Sequence, residues 1–216
     1  MKDFLLQLDY NIEAENGVAY IEKSTLDFIN DMLEKNNYKY EYKVLNAKDF
    51  GVAQNRKRLF LIATRIKKLN LSFNNIQKKT PIYLKDVIYN LEPIQHNNPS
   101  KRDILHRAKE LNEINFKRIK ATPLNGGLRS AWSEDLRLPC HKIKEAFHDN
   151  YGRLAWDKLS STITTKFNQY YSGRFGHPEQ DRALSLREGA LIQTFPKDYQ
   201  FFGTDAINKM IYLYPD

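Results

Sequence analysis

The chain has 216 residues, 41% of them hydrophobic and 28% charged, with one cysteine. That length allows one large or two small domains with a real core, and that composition excludes wholesale disorder; no apolar run can cross a bilayer, and a single cysteine excludes an internal disulfide. The net charge of +8 and pI of about 9.3 leave two readings open, a solvated basic surface or a polyanionic partner whose phosphates the cations neutralise.

Met1 to Tyr10 carries acidic residues in a short apolar stretch and no cleavage site, so no signal peptide is expected, and lone Cys140 suits a reducing cytoplasm. Residues 24–36 have helical spacing: Ser24 or Thr25 can cap, Leu26, Ile29, Met32 and Leu33 share a face, and Asn36-Asn37 ends the run. Tyr38, Tyr40, Tyr42 and Val44 alternate with Lys39, Glu41 and Lys43, the period of a strand. A loop follows to Arg58, then Leu59 to Thr64 reads as a buried strand. From Ile66 onward, frequent turn residues separate short apolar pieces such as Val87 to Leu91, and Ser161 to Thr165 is β-prone. A last helix begins near Ser185, where Ser185 and Glu188 have capping-box spacing, and Pro196 is expected to stop it. No internal repeat is present.

The loop from Asn46 to Arg58 carries Gln54, Arg56 and Arg58 at alternate positions. If its end is extended they share a side, where an amide and two guanidiniums can grip phosphates or a base edge. The same residues also suit a basic loop that keeps a strand edge soluble. The wording of the stretch, VLNAKDFGVAQNRKRLFLIATR, resembles the Gln-x-Arg-x-Arg motif of DNA (cytosine-5) methyltransferases. In that family the arginines serve the target cytosine and the nearby DNA backbone, roles that the resemblance carries to Gln54, Arg56 and Arg58. A second stretch, Tyr151 to Gly203, looks like the end of the family's target recognition domain followed by its Arg-Glu…Gln-x-Phe-Pro helix, with Arg187, Glu188, Gln193, Phe195 and Pro196 at the motif positions. Leu191 stands where many members have Arg. That helix is structural in the family. Thr162, Ile163 and Thr164 are similar to the threonine pair that members set against DNA, though threonine in a β-run needs no such explanation.

The resemblance implies transfer of a methyl group from S-adenosylmethionine to C5 of a flipped-out cytosine in duplex DNA, after a cysteine thiolate attacks C6. It also implies that the nucleophile and the cofactor loop lie outside this chain. Pro139-Cys140 falls inside the recognition region, downstream of the Arg loop, and reads as a quiet thiol. Glu15-Asn16 could be a degraded Glu-Asn-Val motif, but Gly17 replaces the valine. Cys140, His141 and His148 match no zinc pattern, so no metal is expected. Arg102, Arg107, Arg118, Lys120 and Arg129 are candidate DNA contacts of the recognition region.

The expected fold is α/β: the C-terminal edge of a Rossmann-like methyltransferase sheet plus a small irregular mixed α/β target recognition domain. The expected domains are 1–66, the end of the catalytic domain; 67–180, target recognition; 181–203, a helix packing back on the catalytic domain; and 204–216, a divergent tail. The expected function is the DNA-recognising part of a restriction-modification methyltransferase that works with an N-terminal piece or subunit. A non-catalytic DNA-binding module and an inactive remnant remain the alternatives.

Overall fold

The computed structural model describes residues 24–98, 100–142, 150–199 and 201. The Glu15-Asn16 pair, His148 and the 204–216 tail lie outside the described residues. The protein is a mixed α/β structure whose described residues fall in two compact units: one holds those of 24–45 and 58–77, the other those of 46–57 and 78–201. Compactness thus groups the loop 46–57 with the long C-terminal body rather than following the change of sequence texture near residue 66.

In the first unit, α1 spans Thr25–Lys35. The Ser24 side chain accepts from the Asp27 amide, and the Asp27 carboxylate accepts from the Ser24 amide and hydroxyl, a reciprocal cap. Asn36 closes the helix and Asn37 turns the chain out of it at φ 57°. Strands β1 (Lys39–Asn46) and β2 (Lys57–Thr64) form a two-stranded sheet. The Ala47 amide donates to the Arg56 carbonyl at 3.0 Å where β1 ends and β2 begins, so the strands run antiparallel. The shared face expected of the helical stripe exists, but α1 buries none of its residues.

The second unit holds the core. Helices α2 (Leu84–Ile88) and α4 (Leu186–Ile192) pack together, and Leu84, Ile88, Leu154, Ile163, Phe175, Leu184 and Ile192 form one apolar cluster. A second cluster gathers Ile119 of α3 (Glu113–Ala121), Trp132, Leu136, Tyr151 and Tyr170. Three short extended segments, around Arg153, Gly176 and Ala183, join through isolated bridges. The Ser161–Thr165 run forms no strand. The bridge with Gln54 falls on Ser160, just before the run, and the chain turns from Thr165 onward.

Four buried charged or titratable side chains tie this body together. Arg153 donates to the carbonyls of Thr122, His177, Gln180 and Ile119 and to the Asp181 carboxylate. Arg182 and Glu188 form a doubly hydrogen-bonded pair. His106 links Ser185, the cap of α4, to the Glu92 carbonyl through 2.9 and 2.8 Å contacts. The capping box of Ser185 and Glu188 is complete. The helix ends at Ile192, four residues before Pro196, because the Gln193 amide closes on Gly189 and Ala190 and Thr194 adopts φ 67°. Pro196 is therefore not what stops it.

Candidate nucleic-acid interface

The loop between β1 and β2 is held from inside. Asn46 lies buried and its Oδ1 accepts from the Arg56 amide at 3.1 Å, while its Nδ2 donates to Asn55 at 2.8 Å. Ala47–Phe50 makes a single 3-10 turn, and Gly51, at φ 79°, takes the left-handed conformation that lets the chain leave it. One Asn thus braces both ends of the loop, from which Gln54 enters a β-bridge.

That part of the loop pairs with a segment more than a hundred residues away. Gln54 and Ser160 form a parallel bridge: the Asn55 amide donates to the Ser160 carbonyl at 3.0 Å and the Ser160 amide to the Ala53 carbonyl at 2.9 Å. The Thr162 hydroxyl donates to the Asn55 carbonyl at 3.0 Å, and Arg56 Nη1 to the Ile163 carbonyl at 3.4 Å. Residues 54–56 and 160–163, from the two motif stretches, therefore meet, one laid along the other, within one compact unit. Gln54 is 1% exposed, and its Oε1 has no hydrogen-bond partner among the described residues. A buried acceptor left unpaired costs about 1–3 kcal/mol. Arg56 is half-buried and Arg58 exposed.

The other candidates part ways. Ile163 is buried in the first apolar cluster, so its side chain serves packing, whereas Thr162 is half-buried and Thr164 exposed. Arg118 is buried. It donates to the Leu136 carbonyl at 2.9 Å and to Asn115 at 3.2 Å, and its guanidinium lies about 5.5 Å from the ring centres of Trp132 and Tyr151. Lys120 is exposed over the Phe116 ring, Arg102 is exposed beside a cavity of about 360 Å³, and Arg107 is half-buried. Arg129 is buried. Burial and the charges of Arg129, Arg118 and Arg137 hold the His141 pKa below its ordinary value, which marks this end of the body as electropositive.

Of the helix motif, Arg187 grips Asp103 through Nε (2.5 Å) and Nη2 (3.1 Å), Glu188 holds Arg182, and Gln193 and Pro196 are exposed. Arg187 and Glu188 thus anchor α4. Sequence reasoning missed Arg153, Arg182, Asp103, His106 and His177, whose partners come from distant segments that carry no local signal. Among the described residues, no three His, Cys, Asp or Glu side chains gather as metal ligands, and no helix is long and apolar enough to cross a membrane.

S-adenosylmethionine would need an enclosed apolar pocket and a glycine turn open to the ligand. The Gly126-Gly127 turn does not fit, since a Cβ at Gly127 would lie 2.0 Å from the Pro123 carbonyl oxygen: the space belongs to the chain's own backbone. The cavities lined by Glu92, Lys101 and Arg102 and by Trp156, Glu179 and Glu188 include no residue of the Gln54 loop.

Residues 14–212 match the family model of C-5 cytosine-specific DNA methylase. The chain is 40% identical over 171 residues to the type II methylase M.HgiDII of Herpetosiphon aurantiacus, covering 78% of this chain and 48% of that one. It is 27% identical over 196 residues to the type II methyltransferase M1.BsuMI of Bacillus subtilis, covering 88% and 43%. A similar 27% relates it to DNA (cytosine-5)-methyltransferase 3 of Arabidopsis thaliana, over 94% of this chain and 18% of the plant protein. A solved E. coli structure, described as a prophage-encoded DNA modification methyltransferase, superposes with a TM-score of 0.53 at 18% identity, over 80% of this chain and 55% of that one. The chain spans about half the length of the curated bacterial relatives that it matches.

Proposed function

Since this chain belongs to the C-5 cytosine-specific DNA methylase family, we propose that it is the DNA-recognising part of a DNA (cytosine-5) methyltransferase from a restriction-modification system. Family members use S-adenosylmethionine and act on duplex DNA. In this reading the attacking thiolate and the cofactor site come from the other half of the fold, and no step of cofactor chemistry is assigned to the residues described. The work falls in the cytoplasm, where the DNA is.

One observation carries the reading. The Gln54–Arg56 stretch is locked along Ser160–Ile163 by two backbone bonds, the Thr162 hydroxyl and the Arg56 guanidinium. A base-serving loop needs that rigidity, because a misplaced contact of about 1 Å costs on the order of 100-fold in rate. Arg56 spends one donor on Ile163 and keeps the others. The unpaired Gln54 Oε1 is an acceptor ready for a donor from DNA or from the catalytic half. Arg58 is the exposed guanidinium of the set and suits a phosphate or the base carbonyl. Residues 1–66 are assigned to the catalytic domain, 67–180 to target recognition, 181–203 to the anchoring helix and 204–216 to a divergent tail.

The test is methyl transfer from labelled S-adenosylmethionine to duplex DNA by this chain mixed with the unmatched half of M.HgiDII. Arg58→Ala should abolish transfer and leave the melting curve within about a degree, because an exposed side chain contributes little to folding. Full activity of Arg58→Ala would remove Arg58 from the site. Activity of this chain alone would show that the nucleophile is here after all.

A further inference from the structure

The cavity beside Trp156, about 270 Å³ in volume, lies within the second unit and shares no residue with the Gln54 loop or its Ser160–Ile163 partner. Its wall is aromatic. The Tyr89 and His177 rings stand at 79° and 84° to the Trp156 ring, with centroids 5.3 and 5.2 Å away. Leu91 and Pro93 add apolar surface. Sites for drug-sized ligands occupy about 300–1,000 Å³, so this one suits a single flat ring system.

The floor is polar. His177 is 2% exposed. Its Nδ1 accepts from the amides of Glu179 and Gln180 at 3.1 and 2.9 Å, so the proton of the neutral ring sits on Nε2. Gln180 is oriented as firmly. Its Oε1 accepts from the Ile94 amide at 3.0 Å and from Arg182 Nε at 2.9 Å, which turns its NH2 end toward His177. The two side-chain Nε2 atoms are 3.5 Å apart. Both carry hydrogens, so this contact is not a hydrogen bond. Glu188 Oε1 lies 3.7 Å from the His177 nitrogen, past hydrogen-bond reach, and is already held by Arg182 at 2.7 Å. Two N–H donors therefore converge on the cavity with no acceptor among the described residues. The rim is acidic. Trp156 Nε1 donates to Glu179 Oε1 at 2.7 Å, which fixes that carboxylate and leaves its Oε2 open, and exposed Glu92 lines the same cavity.

These parts select the guest by elimination. An anion would meet carboxylates, and a cation would meet the two N–H donors of the floor. A neutral guest fits when its acceptor oxygen reaches the floor and its own N–H groups reach a carboxylate, and the rings favour a flat one. Guanine has this pattern, with O6 as acceptor and the N1–H and 2-amino groups as donors along one edge. Adenine has an amino group in place of O6 and would set N–H against N–H. We propose that this cavity binds a guanine base, with O6 on His177 Nε2 and Gln180 Nε2, the N–H edge on Glu179 and the ring against Trp156. The base belongs either to a free nucleotide or to an unpaired position in DNA, since both present the same edge. The site is additional to the function given above and uses none of the Gln54 loop.

The experiment titrates the full chain with guanosine monophosphate and, separately, with adenosine monophosphate, followed by tryptophan fluorescence. The two nucleotides share a phosphate, so the basic surface treats them alike and the difference isolates the base. The guanine nucleotide should quench with a dissociation constant of about 1 mM or lower, and the adenine nucleotide should bind roughly tenfold more weakly or worse. Trp156→Phe should remove the quench, because the other tryptophan, Trp132, is 2% exposed and packed in the second apolar cluster. Glu179→Gln should weaken the guanine nucleotide roughly tenfold or more and leave the melting curve in place. A duplex with one unpaired guanine, set against the same duplex with an unpaired adenine, separates the two sources. Tighter binding of the guanine duplex assigns the base to DNA, while equal binding of the duplexes with a preference among the free nucleotides assigns it to the nucleotide. No preference for guanine over adenine in either form overturns the proposal, as does a quench that persists in Trp156→Phe or guanine binding untouched by Glu179→Gln. The comparison of guanine with adenine on the unsubstituted chain stands even if a variant misfolds.

Discussion

Removing the Glu188 carboxylate should do more damage than any other single truncation in α4. Its two oxygens each accept from the Arg182 guanidinium at 2.7 Å, and one of them also accepts from the Ser185 amide at 2.7 Å. Both side chains are about 1% exposed. Glu188→Ala leaves the Arg182 charge buried, with only carbonyls and Gln180 around it. Stranding one member of a buried pair costs about 3–5 kcal/mol, and the lost half of the capping box about 1 more. The sum, roughly 4–6 kcal/mol, rivals the whole stability of a marginal domain. Urea unfolding followed by circular dichroism measures it. Arg182→Met combined with Glu188→Leu should recover most of the loss, since neither charge is then buried alone. A loss below about 1 kcal/mol in Glu188→Ala, or a double variant as unstable as the single one, would refute the argument.

Acid should loosen the same region before carboxylates titrate. Burial depresses the His177 pKa to about 3 against the opposing pull of Glu188, and the ring accepts the Glu179 and Gln180 amides on Nδ1, so it is neutral and its 3.7 Å approach to Glu188 is not an ion pair. The unfolded chain then binds the extra proton between pH 6.5 and about 3, and stability present above 6.5 falls as pH falls through that window: about 2 kcal/mol from pH 7.5 to 5 by linkage, absent in His177→Gln. A urea midpoint that does not move over that range would sink the idea. Glu188 adds to the loss below about pH 4.5: burial raises its pKa, but Arg182 outweighs burial and holds it at about 2. Gly189→Ala gains about 1 kcal/mol of helix propensity, yet its Cβ would lie 2.2 Å from the Phe167 ring, so the melting temperature should fall by several degrees.

Local chemistry was legible in the sequence wherever neighbours along the chain decide the structure. The cap at Ser24, the Asn36-Asn37 stop and the Ser185–Glu188 box all follow from contacts within four residues. Helix α3 was not read, because Arg118, a charged residue, occupies its buried side beside Ile119. The threonine run at 161–165 has strand composition but forms no bridge of its own; the bridge to the distant Gln54 loop falls on Ser160, just before it. Gln54 shows the limit plainly. Its motif was readable, whereas its burial depends on Ser160, which no spacing within either stretch reveals. The stripe on α1 was legible as apolar, but a stripe says only that something should cover it, not that this chain does.

The +8 net charge overstates how many cations can meet DNA. Arg153, Arg182 and Arg187 are buried and committed to carbonyls or carboxylates, and Arg118 is spent on Leu136, Asn115 and two aromatic rings. Exposed candidates such as Arg102 and Lys120 are the ones free to release counterions, each steepening the dependence of log affinity on log salt by about 0.9 if it neutralises one phosphate. Salt titrations of duplex binding should therefore separate the two kinds. Arg102→Ala or Lys120→Ala should flatten the slope by about 0.9 with unfolding unchanged. Arg118→Ala should leave the slope alone and lower stability by roughly 2 kcal/mol or more, from two lost hydrogen bonds and the ring contacts. A flattened slope with intact stability in Arg118→Ala would mean that its buried guanidinium turns outward to meet DNA, and that burial in the free protein is a poor guide to which arginines read or hold the duplex.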